Sequence, residues 1–144
     1  MKIQAIAILM FLTFTNIMAS DIITVHNIKS TDMNTLELTQ EWDKTFPQSD
    51  KVEHSKITFH NRYGITLAAD LYKPKNRQGR LAAIAVSGPY GAVKEQVSGR
   101  YAQTLAERGF LTLAFDPSFY GESGGTPRYL TSPEISTEDF SAAV

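Results

Sequence analysis

A serine lies among glycines near the C-terminal end of the sequence, in residues 121–125 (GESGG). This matches the G-x-S-x-G pattern, in which a serine nucleophile occupies a sharp turn directly between a strand and a helix. Residues 117–120 separate the motif from the preceding apolar segment, and Thr126-Pro127 follows where the helix should begin. The context therefore favours a tight glycine turn in which the Ser123 hydroxyl binds backbone groups, with nucleophilic catalysis as the alternative.

A second glycine-containing turn, residues 87–91 (SGPYG), comes between an apolar segment and a helical one. Such a turn can direct backbone N–H groups toward an anion or a developing oxyanion. Pro89 has no N–H, so the donor would be the N–H of Tyr90 or Gly91, or the Tyr90 hydroxyl. In the other interpretation the glycines only permit the bend, and the sequence does not choose between the two.

The same segment is also compatible with dinucleotide binding. Gly88 and Gly91 follow one apolar segment, and Asp116 ends the next, where an acidic residue would bind a ribose. The full fingerprint is G-x-G-x-x-G, and only two of its glycines are present here. This alternative is therefore weak.

The remaining composition excludes several kinds of site. The chain has no cysteine, so it contains neither a thiolate nucleophile nor a cysteine zinc site. His26, His54 and His60 show no metal-ligand spacing, and all three precede Ser123, whereas a catalytic histidine in the nucleophile-elbow order would follow the serine. We expect no metal and no cofactor. A net charge of −1 gives no reason to expect nucleic-acid binding.

The hydrophobic pattern predicts an α/β fold. Residues 56–60 and 65–72 alternate around a turn at 61–64, which predicts a β-hairpin. Residues 81–87 and 110–115 are continuous apolar segments, typical of parallel strands buried on both faces. Residues 93–108 have helical spacing, with Val93, Val97, Tyr101, Leu105 and Ala106 on the apolar face and Gly109 ending the helix.

Two further helices are predicted, one before the hairpin and one after the second apolar segment. Residues 32–42 could form a short helix within an N-terminal extension that packs over the domain. Residues 134–144 should begin another, with Thr137 as its cap and with Phe140, Ala143 and Val144 on its apolar face.

The N-terminal residues predict export. Lys2 precedes a mostly apolar stretch at 3–17, and cleavage after Ala19 fits a secretory signal peptide. We therefore expect a signal peptide at 1–19, an extension at 20–50 and the folded domain at 51–144, with a secreted or periplasmic location and no stable membrane span.

Four segments together resemble the N-terminal half of bacterial α/β-hydrolases of the dienelactone hydrolase and X-Pro peptidase (S15-like) group. The region that carries the resemblance, residues 56–139, makes up about two thirds of the expected mature chain. The matching segments are NRYGITLAADLYKP at 61–74, GPYGAVKEQ at 88–96, YAxxLAxxGF at 101–110 and FDPSFYGESGGTPR at 115–128.

The resemblance implies a partial α/β-hydrolase fold, consisting of the N-terminal hairpin and a parallel β-α-β unit in an incomplete sheet. It implies that Tyr90 and Gly91 contribute to the oxyanion hole. It also implies that Asp116, Gly121 and Ser123 support the rim of the active site, while the nucleophile, acid and histidine lie beyond residue 144.

On this basis the sequence predicts a truncated hydrolase whose parent cleaves a small-molecule ester, lactone or amide. The chain itself should be inactive, because the nucleophile and catalytic histidine are missing. The alternatives are a ligand- or protein-binding module and the dinucleotide-binding unit. Because the strand at 81–86 would lie at an open sheet edge, self-association through that edge is also expected.

Overall fold

A computed structural model of the chain describes residues 36–144, which belong to one unit of the structure. Four strands and two helices occur in this part of the chain. The strands are β1 (Val52–His60), β2 (Thr66–Pro74), β3 (Ala83–Val86) and β4 (Leu111–Phe115), and the helices are α1 (Val97–Glu107) and α2 (Pro133–Ala142).

The strands form one mixed sheet in the order β1-β2-β4-β3. The pairs β1–β2 and β2–β4 are antiparallel, whereas β3 and β4 are parallel and are connected through α1. The predicted hairpin and parallel β-α-β unit are therefore confirmed. Within the described residues β3 lies at the edge of the sheet, as the strand order expected from the resemblance requires.

The hairpin turn is held by the Asn61 side chain. Its Oδ1 accepts hydrogen bonds from the N–H groups of Tyr63 and Ile65, and its Nδ2 donates to Asp139 of α2. Gly64 has φ +75°, a conformation that glycine adopts without steric cost. The turn thus both closes the hairpin and receives α2.

Helix α1 packs on one face of the sheet through small residues. Ala102 and Ala106 contact Val52, Tyr72 and Ala114 in the core. The predicted helix face was wrong at Val97 and Tyr101, which are exposed, whereas the predicted Ala106 is in the core; the helix begins at Val97 rather than at residue 93. Small side chains, rather than the large apolar ones, allow the helix backbone to approach the sheet closely.

Gly99 shows how close this approach is. A Cβ at Gly99 would overlap the Lys94 carbonyl oxygen and would lie 3.2 Å from the Tyr72 hydroxyl. The hydrophobic pattern of the helix does not predict that Gly99 must be a glycine. The requirement comes from Lys94, which precedes the helix, and from Tyr72 of β2.

The opposite face of the sheet is covered less completely. Phe115 packs edge-to-face against Phe140 of α2, with ring centroids 4.9 Å apart. Beyond α2, an open apolar groove of about 160 Å³ runs over this face, between side chains of Leu71, Leu111 and Leu113. The expectation that β3 is buried on both faces was therefore wrong, because its residues are half-buried or exposed.

Helix α2 is capped and oriented differently from the prediction. Ser132 is the N-cap, and its hydroxyl accepts from the Ile135 N–H, whereas Thr137 lies inside the helix and bonds to the Pro133 carbonyl. Glu138 and Asp139 are buried, while Phe140 and Val144 are exposed at 44% and 97%. Polar contacts with the hairpin turn, rather than an apolar stripe, set the orientation of this helix.

Residues 36–42 are not helical, and the start of the predicted helix at 32–35 lies outside the described residues. The Trp42 indole N–H donates to the Phe46 carbonyl, and Gln103 of α1 bonds to both Pro47 and Ser49. These contacts place residues 42–49 on α1. The predicted signal peptide at 1–19 also lies outside the described residues. No helix in residues 36–144 is long and apolar enough to span a membrane.

Asp139 is predicted to be the residue that docks α2. Its carboxylate accepts from Asn61 Nδ2, Ser118 Oγ and Ser118 N, each at 2.8 Å, so all its partners are donors. In Asp139→Asn the amide NH2 would face one of these donors. The free energy of unfolding should fall by about 2 kcal/mol, measured by urea denaturation.

Glu134→Gln is the matched control on the same helix. Glu134 is exposed, and its side chain bonds only to the Tyr63 hydroxyl at 3.2 Å. Its loss should cost less than about 1 kcal/mol. Equal effects of the two substitutions would contradict the docking role of Asp139.

Candidate functional site

The two glycine-containing turns lie at the carboxyl ends of the parallel strands β3 and β4. Ligand sites in α/β proteins form at this end of the sheet. Residues 87–96 connect β3 to α1, and residues 116–125 follow β4. The structure thus brings the two segments singled out in the sequence to the same edge.

The turn after β3 presents backbone donors to solvent. Gly91 has φ +76°, and the Ala92 N–H donates to the Pro89 carbonyl at 2.9 Å, which closes the turn. Within residues 36–144, the N–H groups of Tyr90 and Gly91 have no hydrogen-bond acceptor. The Tyr90 side chain is 80% exposed. Two adjacent unpaired N–H groups can bind an anion or an oxyanion.

Asp116 lies at the end of β4 and is completely buried. Its Oδ1 accepts from the Lys94 N–H at 2.7 Å, and its Oδ2 accepts from Lys94 Nζ at 2.8 Å and from the Glu122 N–H at 2.9 Å. The carboxylate therefore joins the turn after β3 to the loop after β4. Because protein donors occupy both oxygens, the carboxylate is not available to a ribose, which argues against the dinucleotide interpretation.

Lys94 is a residue of the candidate site that the sequence did not reveal. Its ammonium group is fully buried and contacts Asp116 Oδ2 at 2.8 Å and Glu122 Oε2 at 2.7 Å. Burial alone would lower the pKa of Lys94, but the carboxylates of Asp116, Glu122 and Glu95 raise it above its usual value. The signal in the sequence was a lysine close to the glycine turn, which alone does not indicate burial.

Glu122 joins the same network from the loop after β4. Its Oε2 accepts from Lys56 Nζ at 2.8 Å, and its Oε1 accepts from the Thr39 N–H at 2.7 Å. Burial alone would raise the pKa of Glu122, but the ammonium groups of Lys56 and Lys94 lower it to about 2. Ion pairs of Glu122 thereby connect the loop after β4 to the hairpin, through Lys56, and to the turn after β3, through Lys94.

The Ser123 hydroxyl is buried, and it donates its proton to a backbone carbonyl rather than to a general base. The side chain is 2% exposed; its Oγ donates to the Asp116 carbonyl at 2.7 Å and accepts from the Ala68 N–H at 2.9 Å. The Arg128 guanidinium holds the same loop by donating to the carbonyls of Ser123 and Gly121. This geometry corresponds to the turn interpretation of the G-x-S-x-G motif.

A second polar cluster lies under residues 42–46. His54 Nε2 contacts Asp70 Oδ1 at 2.8 Å, and Lys44 Nζ contacts Asp70 Oδ2 at 3.1 Å. The Trp42 ring packs edge-to-face on His54, with centroids 5.2 Å apart. His54 thus contacts Asp70 of β2 and is not placed beside Ser123. In the described part of the chain, no cluster of histidine, aspartate or glutamate side chains could hold a metal ion.

Gly121 is predicted to be necessary for the position of Asp116. It has φ +51°, and a Cβ there would overlap the Asp116 carboxylate. Gly121→Ala should therefore lower the free energy of unfolding by about 3 kcal/mol, from a backbone cost and a steric cost together. Gly64→Ala is the control, because Gly64 has φ +75° but no atom within 4 Å of its Cβ position. If the two variants lose equal stability in urea denaturation, contact with Asp116 is not the cause.

The Glu122 carboxylate is predicted to make the free energy of unfolding depend on pH in the acid range. Its pKa is about 2 in the folded chain and 4.5 without the fold, so its contribution is present above pH 4.5 and is lost as the pH falls toward 2. Glu122→Gln should therefore be less stable than the wild type at pH 7 and should approach it at low pH. Urea denaturation between pH 2 and 7 measures this difference. Glu53→Gln, on an exposed side chain, should follow the wild type throughout.

Sequence comparisons find relatives that are more than twice as long as this chain. The uncharacterized protein PA2218 of Pseudomonas aeruginosa is 72% identical over 122 residues, which are 84% of this chain and 33% of that protein. The uncharacterized protein YcjY of Escherichia coli is 46% identical over 95 residues, 63% of this chain and 31% of its own. A thiohydrolase, aneE, of Aspergillus aculeatus is 34% identical over 91 residues, 63% of this chain and 28% of its own. No protein-family model matches the chain.

Structural comparisons give the fold. The crystal structure of PA2218 has a TM-score of 0.74 at 75% identity and covers 76% of this chain and 34% of its own. The α/β-hydrolase GrgF of a Penicillium species has a TM-score of 0.55 at 27% identity and covers 63% of this chain and 30% of its own. Brefeldin A esterase has a TM-score of 0.52 at 20% identity and covers 77% of this chain and 29% of its own. This similarity is one of fold alone. The chain therefore has a partial α/β-hydrolase fold with an open sheet, and it spans about a third of the length of the curated relatives it matches.

Proposed function

We propose that residues 36–144 form the oxyanion-hole side of the active site of an α/β-hydrolase in the dienelactone hydrolase and X-Pro peptidase-like group. The hydrolase would cleave ester, lactone, thioester or amide bonds through a serine or cysteine nucleophile. One observation carries the proposal: the N–H groups of Tyr90 and Gly91 are adjacent, unpaired among the described residues and located at the carboxyl end of β3. The thiohydrolase aneE, similar over most of the same region, supports including thioesters.

The chemical role of these two donors follows from the charge of the transition state. Attack on a carbonyl carbon moves negative charge onto the carbonyl oxygen, and donors already in position stabilise that charge without reorganising. Each such donor contributes about 10²- to 10³-fold to kcat in enzymes where one has been removed. Buried Lys94 and Asp116 hold the turn that carries the donors, so its geometry is fixed before a substrate binds.

Attack and proton transfer would then fall to residues other than Ser123 and His54. Ser123 is buried with both hydrogen-bonding roles taken, and His54 is engaged by Asp70. The proposal also includes export before catalysis, on the signal-peptide pattern at residues 1–19.

A chimera tests the donor assignment. The matching region of PA2218 would be replaced by this chain, and hydrolysis of p-nitrophenyl acetate and of an acyl thioester would be measured. Gly91→Ala, at φ +76°, should displace the two N–H groups and lower kcat about 10- to 100-fold, with a smaller effect on KM. Gly79→Ala is the control, since Gly79 has φ +83° and, like Gly91, has no atom near its Cβ position.

Two results would count against the proposal in different ways. A folded chimera with no turnover of either substrate would contradict the hydrolase function. Equal kcat values for the Gly91 and Gly79 variants would contradict the placement of the oxyanion hole.

This chain on its own is predicted not to turn over an activated ester above the buffer rate, because in residues 36–144 the Ser123 hydroxyl is engaged by backbone groups and His54 is engaged by Asp70. Ser123→Ala should leave that rate unchanged, measured by p-nitrophenol release. A rate that Ser123→Ala abolishes would show that this serine is the nucleophile after all.

A further inference from the structure

Three tyrosines form a continuous aromatic row beside the candidate oxyanion hole. The rings of Tyr90 and Tyr120 meet at an interplanar angle of 64° with centroids 6.4 Å apart, and those of Tyr120 and Tyr129 at 71° and 6.0 Å. Both are edge-to-face arrangements of the kind that aromatic pairs prefer. We call these three residues the tyrosine row.

The middle of the row is firmly anchored. Tyr120 is only 9% exposed, and its hydroxyl donates to the Tyr129 carbonyl at 3.2 Å and bonds to Thr131 Oγ1 at 2.7 Å. The Tyr129 N–H donates to the Phe119 carbonyl at 3.0 Å, which fixes the backbone of the outer residue. The row is therefore a preformed surface, and binding to it would cost little ordering entropy.

The two outer rings are open to solvent. Tyr90 is 80% exposed and Tyr129 is 77% exposed, more than any other tyrosine in the described part of the chain. Tyr129 also has φ +62°, an uncommon conformation for a residue with a side chain. Contacts of the Tyr90 hydroxyl with Thr131 and Tyr120 lower its pKa.

The position of the tyrosine row indicates which part of a substrate it would contact. Tyr90 supplies both a ring of the row and one of the two free N–H groups, so a carbonyl bound at those N–H groups lies next to the rings. The Tyr120 hydroxyl is directed at Thr131 and at backbone, and none of the three side chains of the row is charged. The exposed Tyr90 and Tyr129 rings offer aromatic faces and edges to a ligand, which favour flat, apolar groups.

From this juxtaposition we infer that the tyrosine row binds the acyl part of the substrate and that this part is a planar aryl or conjugated group. The inference rests on the proposed function and adds its substrate class. Saturated acyl groups of the same size would make fewer favourable ring contacts at this surface.

A binding experiment on this chain tests the inference without any turnover. Benzamide is the probe, and cyclohexanecarboxamide is its saturated counterpart of similar size; binding is measured by NMR through the tyrosine ring protons. Benzamide should bind with a Kd of about 1 mM, as expected for a ligand of this size. The saturated amide should bind about 3- to 10-fold more weakly.

Substitutions locate the binding. Tyr129→Ala should weaken benzamide binding about 3- to 10-fold, whereas Tyr129→Phe, which keeps the ring, should bind as the wild type does. Tyr101→Ala is the matched control, since Tyr101 is also exposed but lies on α1 outside the row. Tyr101→Ala should leave the Kd unchanged.

Three results would overturn the inference: no benzamide binding, equal binding of the two amides, or equal Kd values for Tyr129→Ala and Tyr101→Ala. These failures are distinguishable from failure of the proposed function. The hydrolytic chimera could be active while the isolated chain shows no aromatic preference, and the chain could bind benzamide while the chimera shows no turnover.

Discussion

The ion pair between Lys94 and Asp116 is the interaction on which the rest of this structure depends. Both side chains are fully buried, and burying two charges is costly unless further hydrogen bonds satisfy them. Here the Lys94 N–H, the Glu122 N–H and the Glu122 carboxylate provide those bonds. Loss of either partner would leave an unpaired buried charge, at a cost of about 3–5 kcal/mol. Because the two residues belong to different turns, the pair sets the relative position of the ends of β3 and β4.

The same constraint explains the G-x-S-x-G motif. Gly121 lies against the Asp116 carboxylate, where a side chain would not fit, and Ser123 ties the Asp116 carbonyl to the Ala68 N–H of β2. The serine and the first glycine are therefore required by packing around a buried carboxylate. A pattern associated with nucleophiles here fixes a loop, whereas the proposed oxyanion donors, the N–H groups of Tyr90 and Gly91, lie on the neighbouring turn.

The fold was predictable wherever it depends on local pattern. Alternation around residues 61–64 gave the hairpin, and the apolar segments on either side of residues 93–108 gave the parallel pair. The errors concern burial, which depends on distant neighbours. Val97 and Tyr101 have helical spacing but face solvent, because Gly99 and Ala102 make the close contact with the sheet. Lys94 could not be identified for the same reason, since two of its three acidic partners, Asp116 and Glu122, become neighbours only once the turns have folded.

The buried residues also indicate what kind of stability this chain has. Within residues 36–144, buried polar and charged residues are as numerous as buried apolar ones, and several of the apolar ones are alanines. An alanine contributes little apolar area, so the hydrophobic term is small for the number of residues buried. The groove beside Leu71 and Leu113 leaves further apolar area on the other face uncovered. Charge networks at Lys94, Asp139 and Asp70 must therefore supply much of the specificity of packing.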